Sequence, residues 1–331
     1  MRSFRFRCGF AVVIALAAFV GEDTYATQRP TTRTTAPPRA APAPALGPLS
    51  SDTRLLVIAP HPDDEVLGAG GLMQLARDAG GAVRVVYLTD GDGFTQGVAM
   101  ESRRLSIADF REYGRRRRVE ARSALAALGI NDSAAVFLSF PDQGLCKLLR
   151  TYWSDQRAAY RSPYTRLDRP PSSGMLVPQT EYRGEDLTQE LATVIDTFRP
   201  TIIAVPRKED QHPDHSAAWF FFAEALGDVA RDDPGFAPDV LTYVVHFNDW
   251  PFEVNAAALY PPPGLASGAS GWVRVPLTPS QTRAKRAALR RYRTQVHAMG
   301  WFLEGFVRSN EIFSRPSSTH VVLPLKYSPC W

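Results

Sequence analysis

From residue 55 to 59 the chain runs Leu-Leu-Val-Ile-Ala without a polar interruption, then turns at once into charge. A short continuous apolar run of this kind predicts a parallel strand covered on both faces. Residues 68–79 follow with a helical pattern that stops at Gly80-Gly81, and 83–88 form a second strand-like run ending at Thr89-Asp90-Gly91-Asp92-Gly93. Further helices are expected over 113–128, 187–198 and 215–226, and further strands over 135–138, 201–205 and 241–247. The alternation of strand and helix predicts an α/β fold, Rossmann-like, with a mainly parallel sheet flanked by helices. In such sheets the chemistry collects beyond the carboxyl ends of the strands.

Two stretches break the alternation. Residues 143–186 are rich in Tyr, Arg, Pro and Ser without clear periodicity, and 251–278 contain Pro261-Pro262-Pro263-Gly264. Both are expected to be long loop insertions over the C-terminal edge of the sheet, where irregular segments of this length are usually functional. Tyr152, Trp153, Tyr160 and Tyr164 would either stack on a substrate or anchor their loop to the core. A helical pattern returns over 278–299.

The N-terminus reads as export signal rather than fold. Arg2, Arg5 and Arg7 precede an apolar run from Gly9 to Val20, and Thr24-Tyr25-Ala26 offers a small-x-small cleavage site. The run is short for a membrane span, so residues 1–26 are expected to be a signal peptide, with an uncleaved anchor as the alternative. Residues 27–50, rich in Pro, Thr and Ala, are expected to be a linker, and 51–331 the domain. The 331-residue chain is 44% hydrophobic, enough for a sizeable core.

The net charge of +4 invites a nucleic-acid reading, but residues 1–50 alone hold six Arg against two acids. The remainder is balanced, so no nucleic acid or other acidic partner is expected. Cys8 would leave with the signal; Cys146 and Cys330 either pair or stand as two buried thiols.

The candidate chemistry lies in two clusters. Ala59-Pro60-His61-Pro62-Asp63-Asp64-Glu65 directly follows the first strand, and Gln211-His212-Pro213-Asp214-His215 follows the strand at 201–205. Each combines His-Pro-Asp with another metal-competent residue, and a parallel sheet could bring them together. Two imidazoles and a carboxylate leave coordination positions open for water and substrate, as in a hydrolytic zinc site or a 2-His-1-carboxylate iron site. Hydrolysis also needs a base for the water and a donor for the oxyanion. The surplus carboxylates and imidazole supply candidates. Oxygen activation has no use for such a base and acid, which favours hydrolysis over an iron oxygenase.

These residues resemble the LmbE-like, PIG-L-type de-N-acetylase family. The resemblance extends to Val66-Leu67-Gly68, Gly70-Gly71, Thr89-Asp90-Gly91, Arg117, Glu120, Phe140-Pro141-Asp142, Lys285, Ala288, Tyr292, Gln295 and Asn310-Glu311-Ile312-Phe313. It implies Zn²⁺ held by His61, Asp64 and His215, although Fe²⁺ or another divalent metal fits the same donors. It further implies Asp63 as general base, and a protonated His212 that stabilises the oxyanion or protonates the leaving amine. Asp214 would hold the His212 imidazole. The implied reaction removes an acetyl group from a glucosamine-type sugar.

Arg117 would reach substrate by that resemblance, or else lie on a solvated face within its four-arginine run. Asp92 and Asp142, in loops after strands, would line the pocket, and His246 at a strand end would touch substrate or serve the fold. Glu65 would accept a hydrogen bond behind the site or simply begin a helix. His297 and His320 stand outside both clusters. Competing readings are an amidase acting on a non-sugar acylated metabolite and a catalytically silent glycan-binding module; all six principal positions are present, which opposes the second. Export would place the substrate in the envelope or outside the cell.

Overall fold

In the computed structural model, which describes residues 43–102, 104–252, 256–266, 271–317, 319 and 330, the first strand is β1 (Arg54–Ala59). Its pleat sends Leu55, Val57 and Ala59 into one apolar cluster and Leu56 and Ile58 into the other, all fully buried. The unbroken hydrophobic run is thereby explained: both faces of the strand are covered.

The chain then alternates through α1 (Asp64–Asp78), β2 (Ala82–Thr89), α2 (Thr95–Glu101), α3 (Ile107–Ala127), β3 (Ala135–Phe140), α4 (Leu145–Arg150), α5 (Gly184–Phe198), β4 (Ile202–Pro206), α6 (Pro213–Asp232) and β5 (Asp239–Tyr243). It closes with β6 (Gly271–Pro276), α7 (Pro279–Leu289), α8 (Arg293–Gly305) and β7 (Asn310–Arg315). Seven strands form one sheet in the order β3-β2-β1-β4-β5-β7-β6. The first five are parallel, and β7 and β6 add an antiparallel edge. The expected α/β fold with a mostly parallel, helix-flanked sheet is what the chain adopts.

The local differences have physical causes. The first helix starts at Asp64, four residues earlier than its apolar pattern, because Asp64 and Glu65 occupy the first turn, where carboxylates oppose the helix dipole. The long helix starts at Ile107 behind a reciprocal capping box between Ser106 and Asp109. The single helix expected over 278–299 is two, α7 and α8, broken at Arg290–Tyr292. β5 ends at Tyr243, so His246 lies in the loop beyond the strand. The alternation in Gly271–Pro276, hidden within a Pro-rich stretch, pairs residue for residue with β7.

Of the Pro/Thr/Ala-rich segment, only residues 43–50 are described, and they lie on the domain: Ala45 bridges Arg274, and Leu46 and Leu49 pack against the core. The signal expected at 1–26, the linker residues before 43 and His320 lie outside the described residues. No helix among the described residues is long and apolar enough to cross a membrane.

The insertion 143–186 is anchored rather than loose. Trp153 stacks on Phe221 of α6, Tyr152 packs edge-on to Tyr160, and Tyr182 donates its hydroxyl to the Ser139 carbonyl at 2.9 Å. Cys146 of α4 forms a disulfide with Cys330, their Cα atoms 5.4 Å apart, so the thiols pair.

The antiparallel edge is locked to α1 by a buried ion pair. Lys285 of α7 donates to Glu311 of β7 at 2.6 Å and to the Leu67 carbonyl at 2.9 Å. Glu311 also accepts the amides of Gly71 and Leu72 at 2.6 and 2.9 Å. Both side chains are almost fully buried, and their charges are met on every side. Lys285→Met, which leaves the Glu311 carboxylate buried without its cation, is expected to cost about 3–5 kcal/mol of stability in a urea titration. A loss under about 1 kcal/mol would show the pair to be dispensable.

Candidate metal centre

β1 and β4 are neighbours in the sheet, with Leu55 opposite Ile202, Leu56 opposite Ile203 and Val57 opposite Ala204. The His-Pro-Asp cluster that follows each strand therefore emerges at the same edge, where the chain path diverges to either side of β1. The expected ligand set closes into a triangle. His61 Nδ1 lies 3.1 Å from Asp64 Oδ2, His215 Nε2 lies 3.1 Å from the same oxygen, and the two nitrogens are 3.2 Å apart. Ligands about 2.0–2.2 Å from a tetrahedral zinc stand roughly 3.3 Å from one another, so this triangle suits three ligands on one face of an ion.

Carboxylates also stand behind the two imidazoles. His61 Nε2 lies 3.2 Å from Asp142 Oδ1 and 3.4 Å from Asp214 Oδ2, while His215 Nδ1 lies 3.3 Å from Asp210 Oδ2. A carboxylate so placed orients an imidazole and makes its other nitrogen more basic, although at His215 Nδ1 the contact is an ion-pair distance rather than a hydrogen bond. Burial pulls the His215 pKa down, but Asp64 and Asp210 overcome it and drive the ring up to about 9. His61 is likewise raised, by Asp142, Asp214 and Asp64 against the burial penalty. The concentration of carboxylates thus favours positive charge at this point, as a cation site requires. Around the triangle, His212 with His61 and His215, and His246 with Asp64 and His215, also bring three ligand atoms within 4.8 Å.

Asp63 stands at the mouth of the first turn in an unusual backbone conformation, φ 124° and ψ −29°. A non-glycine residue persists there only when its surroundings over-determine it. The Asp63 amide donates to Glu65 Oε2 at 3.0 Å, its carbonyl accepts from Val66 and Leu67 at 3.0 and 2.9 Å, and Arg117 Nη2 donates to the Pro62 carbonyl at 2.6 Å. Burial pushes the Asp63 carboxyl up to about 7, with Arg117 at 3.4 Å pulling the other way. Burial also pushes Glu65 up to about 8, although it accepts the hydroxyl of Tyr292.

The four residues expected near the substrate take different places. Arg117 is not on a solvated face: it is 3% exposed, Nη1 and Nη2 donate to the Gly91 and Pro62 carbonyls beside Asp63, and Nε has no partner among the described residues. Gly91, at φ 64°, makes room for it, since a Cβ there would fall 1.9 Å from Arg117 Nη1. Asp142 is turned inward behind His61 and accepts the Gly93 amide at 2.6 Å. Asp92 Oδ1 is closed off from solvent without a hydrogen-bond partner, and burial, then Asp142 and Asp90, raise its pKa well above the ordinary range. His246 stays half-buried, stacked on Phe302 and edge-on to His215, and so joins the histidine cluster.

The expected partnership of Asp214 with His212 is also corrected. The Asp214 carboxylate accepts the amides of Gln143 and Leu145 at 2.7 and 3.1 Å and faces His61. Only its backbone N–H meets His212, donating to Nδ1 at 3.2 Å, because His212 is the N-cap of α6 and Asp214 lies in the first turn. A protonated His212 is not what this structure favours, because Nδ1 already accepts that amide; burial, then His61, His215 and His246, also lower its pKa well below the ordinary range. With Nδ1 accepting, its proton sits on Nε2.

Sequence reasoning missed Asp210. It is fully buried and accepts the amides of His212, Val245 and His246 at 3.0, 2.7 and 3.0 Å while backing His215. Its signal was its place just past β4 and five residues before a candidate ligand. His297 remains outside the site, 3.1 Å from Glu101 on the surface.

Fold and site together define an α/β protein with a histidine–aspartate cluster, able to hold a divalent metal, past the ends of its central strands. Residues 56–226, more than half of the chain, match the family described as PIG-L, GlcNAc-PI de-N-acetylase, and the chain belongs to that family. Among curated relatives, the 1D-myo-inositol 2-acetamido-2-deoxy-alpha-D-glucopyranoside deacetylase of Mycobacterium sp. (strain KMS) is 30% identical over 176 residues, 51% of this chain and 49% of that protein. The diacetylchitobiose deacetylase of Thermococcus kodakarensis is 29% identical over 182 residues, 54% of this chain and 51% of that protein. The chain thus spans about half the length of these relatives. The fold is shared with N,N'-diacetylchitobiose deacetylase from Pyrococcus horikoshii, at TM-score 0.50 and 19% identity over 82% of this chain and 87% of that one.

Asp210→Ala is expected to weaken Zn²⁺ or Co²⁺ binding about 10- to 100-fold in a chelator competition, because it frees the His215 ring. Unchanged affinity would remove Asp210 from the centre.

Proposed function

We propose that this protein is a metal-dependent hydrolase that removes an N-acetyl, or another N-acyl, group from an amino sugar or a related amide. The observation that carries the reading is the triangle of His61, Asp64 and His215, each imidazole backed by a carboxylate, with the buried Asp63, paired to Arg117, alongside. Family membership and deacetylase relatives support the reaction class.

A divalent cation held by the triangle, Zn²⁺ by preference of the donor set, would polarise the amide carbonyl and acidify water. The chain's own residues do the rest. Asp63, near neutrality, takes a proton from the attacking water and returns it to the leaving nitrogen, so one carboxyl serves as base and then as acid. Neutral His212 donates Nε2–H to the carbonyl oxygen as that atom gains negative charge. Arg117 neutralises part of the Asp63 charge and keeps its pKa from rising further. The carbon–nitrogen bond breaks, the second proton of the attacking water also passes to the amine, and acetate and the protonated amine leave.

Export belongs to the same proposal. The basic and apolar N-terminus supports it, as does the disulfide between Cys146 and Cys330, a bond that persists in oxidising compartments. The exported protein is expected to begin at Thr27 on N-terminal sequencing; an intact Met1 would overturn cleavage.

Purified protein loaded with metal is expected to release acetate from N-acetylglucosamine compounds. Asp63→Ala should lower turnover by roughly 100- to 10,000-fold with metal content unchanged. Full activity in that variant would remove Asp63 as base. Turnover confined to non-sugar amides would move the substrate class to acylated metabolites, and no acetate from any amide would overturn the hydrolase reading.

A further inference from the structure

Glu65 is fully buried, and among the described residues no Lys, Arg or His pairs with it. Its two oxygens have separate duties. Oε2 accepts the amide of Asp63 at 3.0 Å, and Oε1 accepts the hydroxyl of Tyr292. Tyr292 is itself fully buried and packs in the apolar cluster that covers one face of the sheet. A carboxyl in such surroundings costs stability unless it does something a hydrophobic residue cannot. Here it holds the N–H of a residue at φ 124°, a conformation that relaxes once its restraints are removed.

Tyr292 comes from the break between α7 and α8, 227 residues after Glu65 and outside the 56–226 segment that defines the family match. Its place is set from both sides. Ala288 and Leu289 at the end of α7 are buried, and at the start of α8 Glu120 of α3 accepts the Thr294 amide at 3.0 Å and hydroxyl at 2.6 Å. The hydroxyl of Tyr292 is therefore delivered to Glu65 by a short turn pinned by the helices on either side of it.

We propose that Tyr292 and Glu65 are positioning residues that hold the strained Asp63 backbone, so that the C-terminal helices α7 and α8 are a working part of the reaction centre. The inference rests on the reading of Asp63 as the base. Neither residue touches substrate. Tyr292 orients the Glu65 carboxyl, Glu65 anchors the Asp63 amide, and that anchor keeps the Asp63 carboxyl aimed beside the metal ligands. Glutamine at 65 preserves the arrangement, because its amide oxygen still accepts from Asp63; alanine does not.

The test uses Tyr292→Phe, Glu65→Ala and Glu65→Gln in the full chain, with two readouts. In metal-free protein, hydrogen exchange of the Asp63 amide is expected to speed up about tenfold in Tyr292→Phe and more in Glu65→Ala, without a matching rise in β2 or β4. In the metal-loaded protein, kcat should fall about tenfold in Tyr292→Phe and roughly 100-fold in Glu65→Ala, with KM and metal content unchanged and Glu65→Gln restoring most of the loss. Wild-type exchange at Asp63 in both Tyr292→Phe and Glu65→Ala would overturn the proposal. So would exchange that rises throughout the sheet, or a kcat loss that follows lost metal. If the wild-type protein hydrolyses no amide yet the exchange result holds, the hydrolase reading fails while the anchoring of Asp63 stands.

Discussion

Three residue pairs join β1 to β4, and every distance in the centre descends from that pairing. The strands are more than 140 residues apart in sequence, yet in the sheet they run side by side in the same direction. Their ends therefore reach the same edge. His61 and Asp64 follow one, His215 follows the other, and the His61–Asp64–His215 triangle closes across the seam. A one-residue slip in β1 would turn its side chains to the opposite faces and carry the following turn out of alignment with α6.

Around this seam the protein gathers carboxylates that would repel one another in isolation. Asp64, Asp142, Asp210 and Asp214 are all buried, and each has a donor: His61 or His215, or backbone amides at the starts of loops and helices. The arrangement distributes strain and charge so that two imidazoles present one nitrogen each toward a common point. It also separates the acids by role. Those behind the histidines are held by amides, whereas among the described residues no amide donates to the Asp63 carboxylate, whose pKa burial raises to about 7 with Arg117 as its ion-pair partner. A carboxyl that moves a proton must not be tied down by hydrogen bonds to its charged form, and Asp63 meets that condition.

The antiparallel edge gives the centre its second support. β6, α7, α8 and β7 are bolted to α1 by Lys285 and Glu311, and the same unit brings Tyr292 to Glu65. The glycines of α1 make this contact possible. At Gly71 a Cβ would stand 2.3 Å from Leu277, and at Gly68 it would stand 2.3 Å from the Tyr243 ring, so two elements approach the helix backbone directly. α1 thus carries Asp64 in its first turn and Asp63 at its N-cap, with the lock at its middle.

Much of this was legible in the order of residues alone. The unbroken apolar runs determined buried parallel strands, because only a strand covered on both faces tolerates such a run. The two His-Pro-Asp clusters, each just past a strand, determined which residues could meet. The direction of individual side chains was not legible. Arg117 stands in a run of four arginines, and only the packing of α3 over Gly91 turns that one inward while its neighbours remain at the surface. Asp214 follows His212 by two residues, yet its place in the first turn of α6 sends its carboxylate to Gln143 and Leu145. Asp210 and Glu65 gained their roles from partners 35 and 227 positions away. Residue type and local period are properties of the chain, but a hydrogen bond between distant segments exists only once the sheet has set their separation.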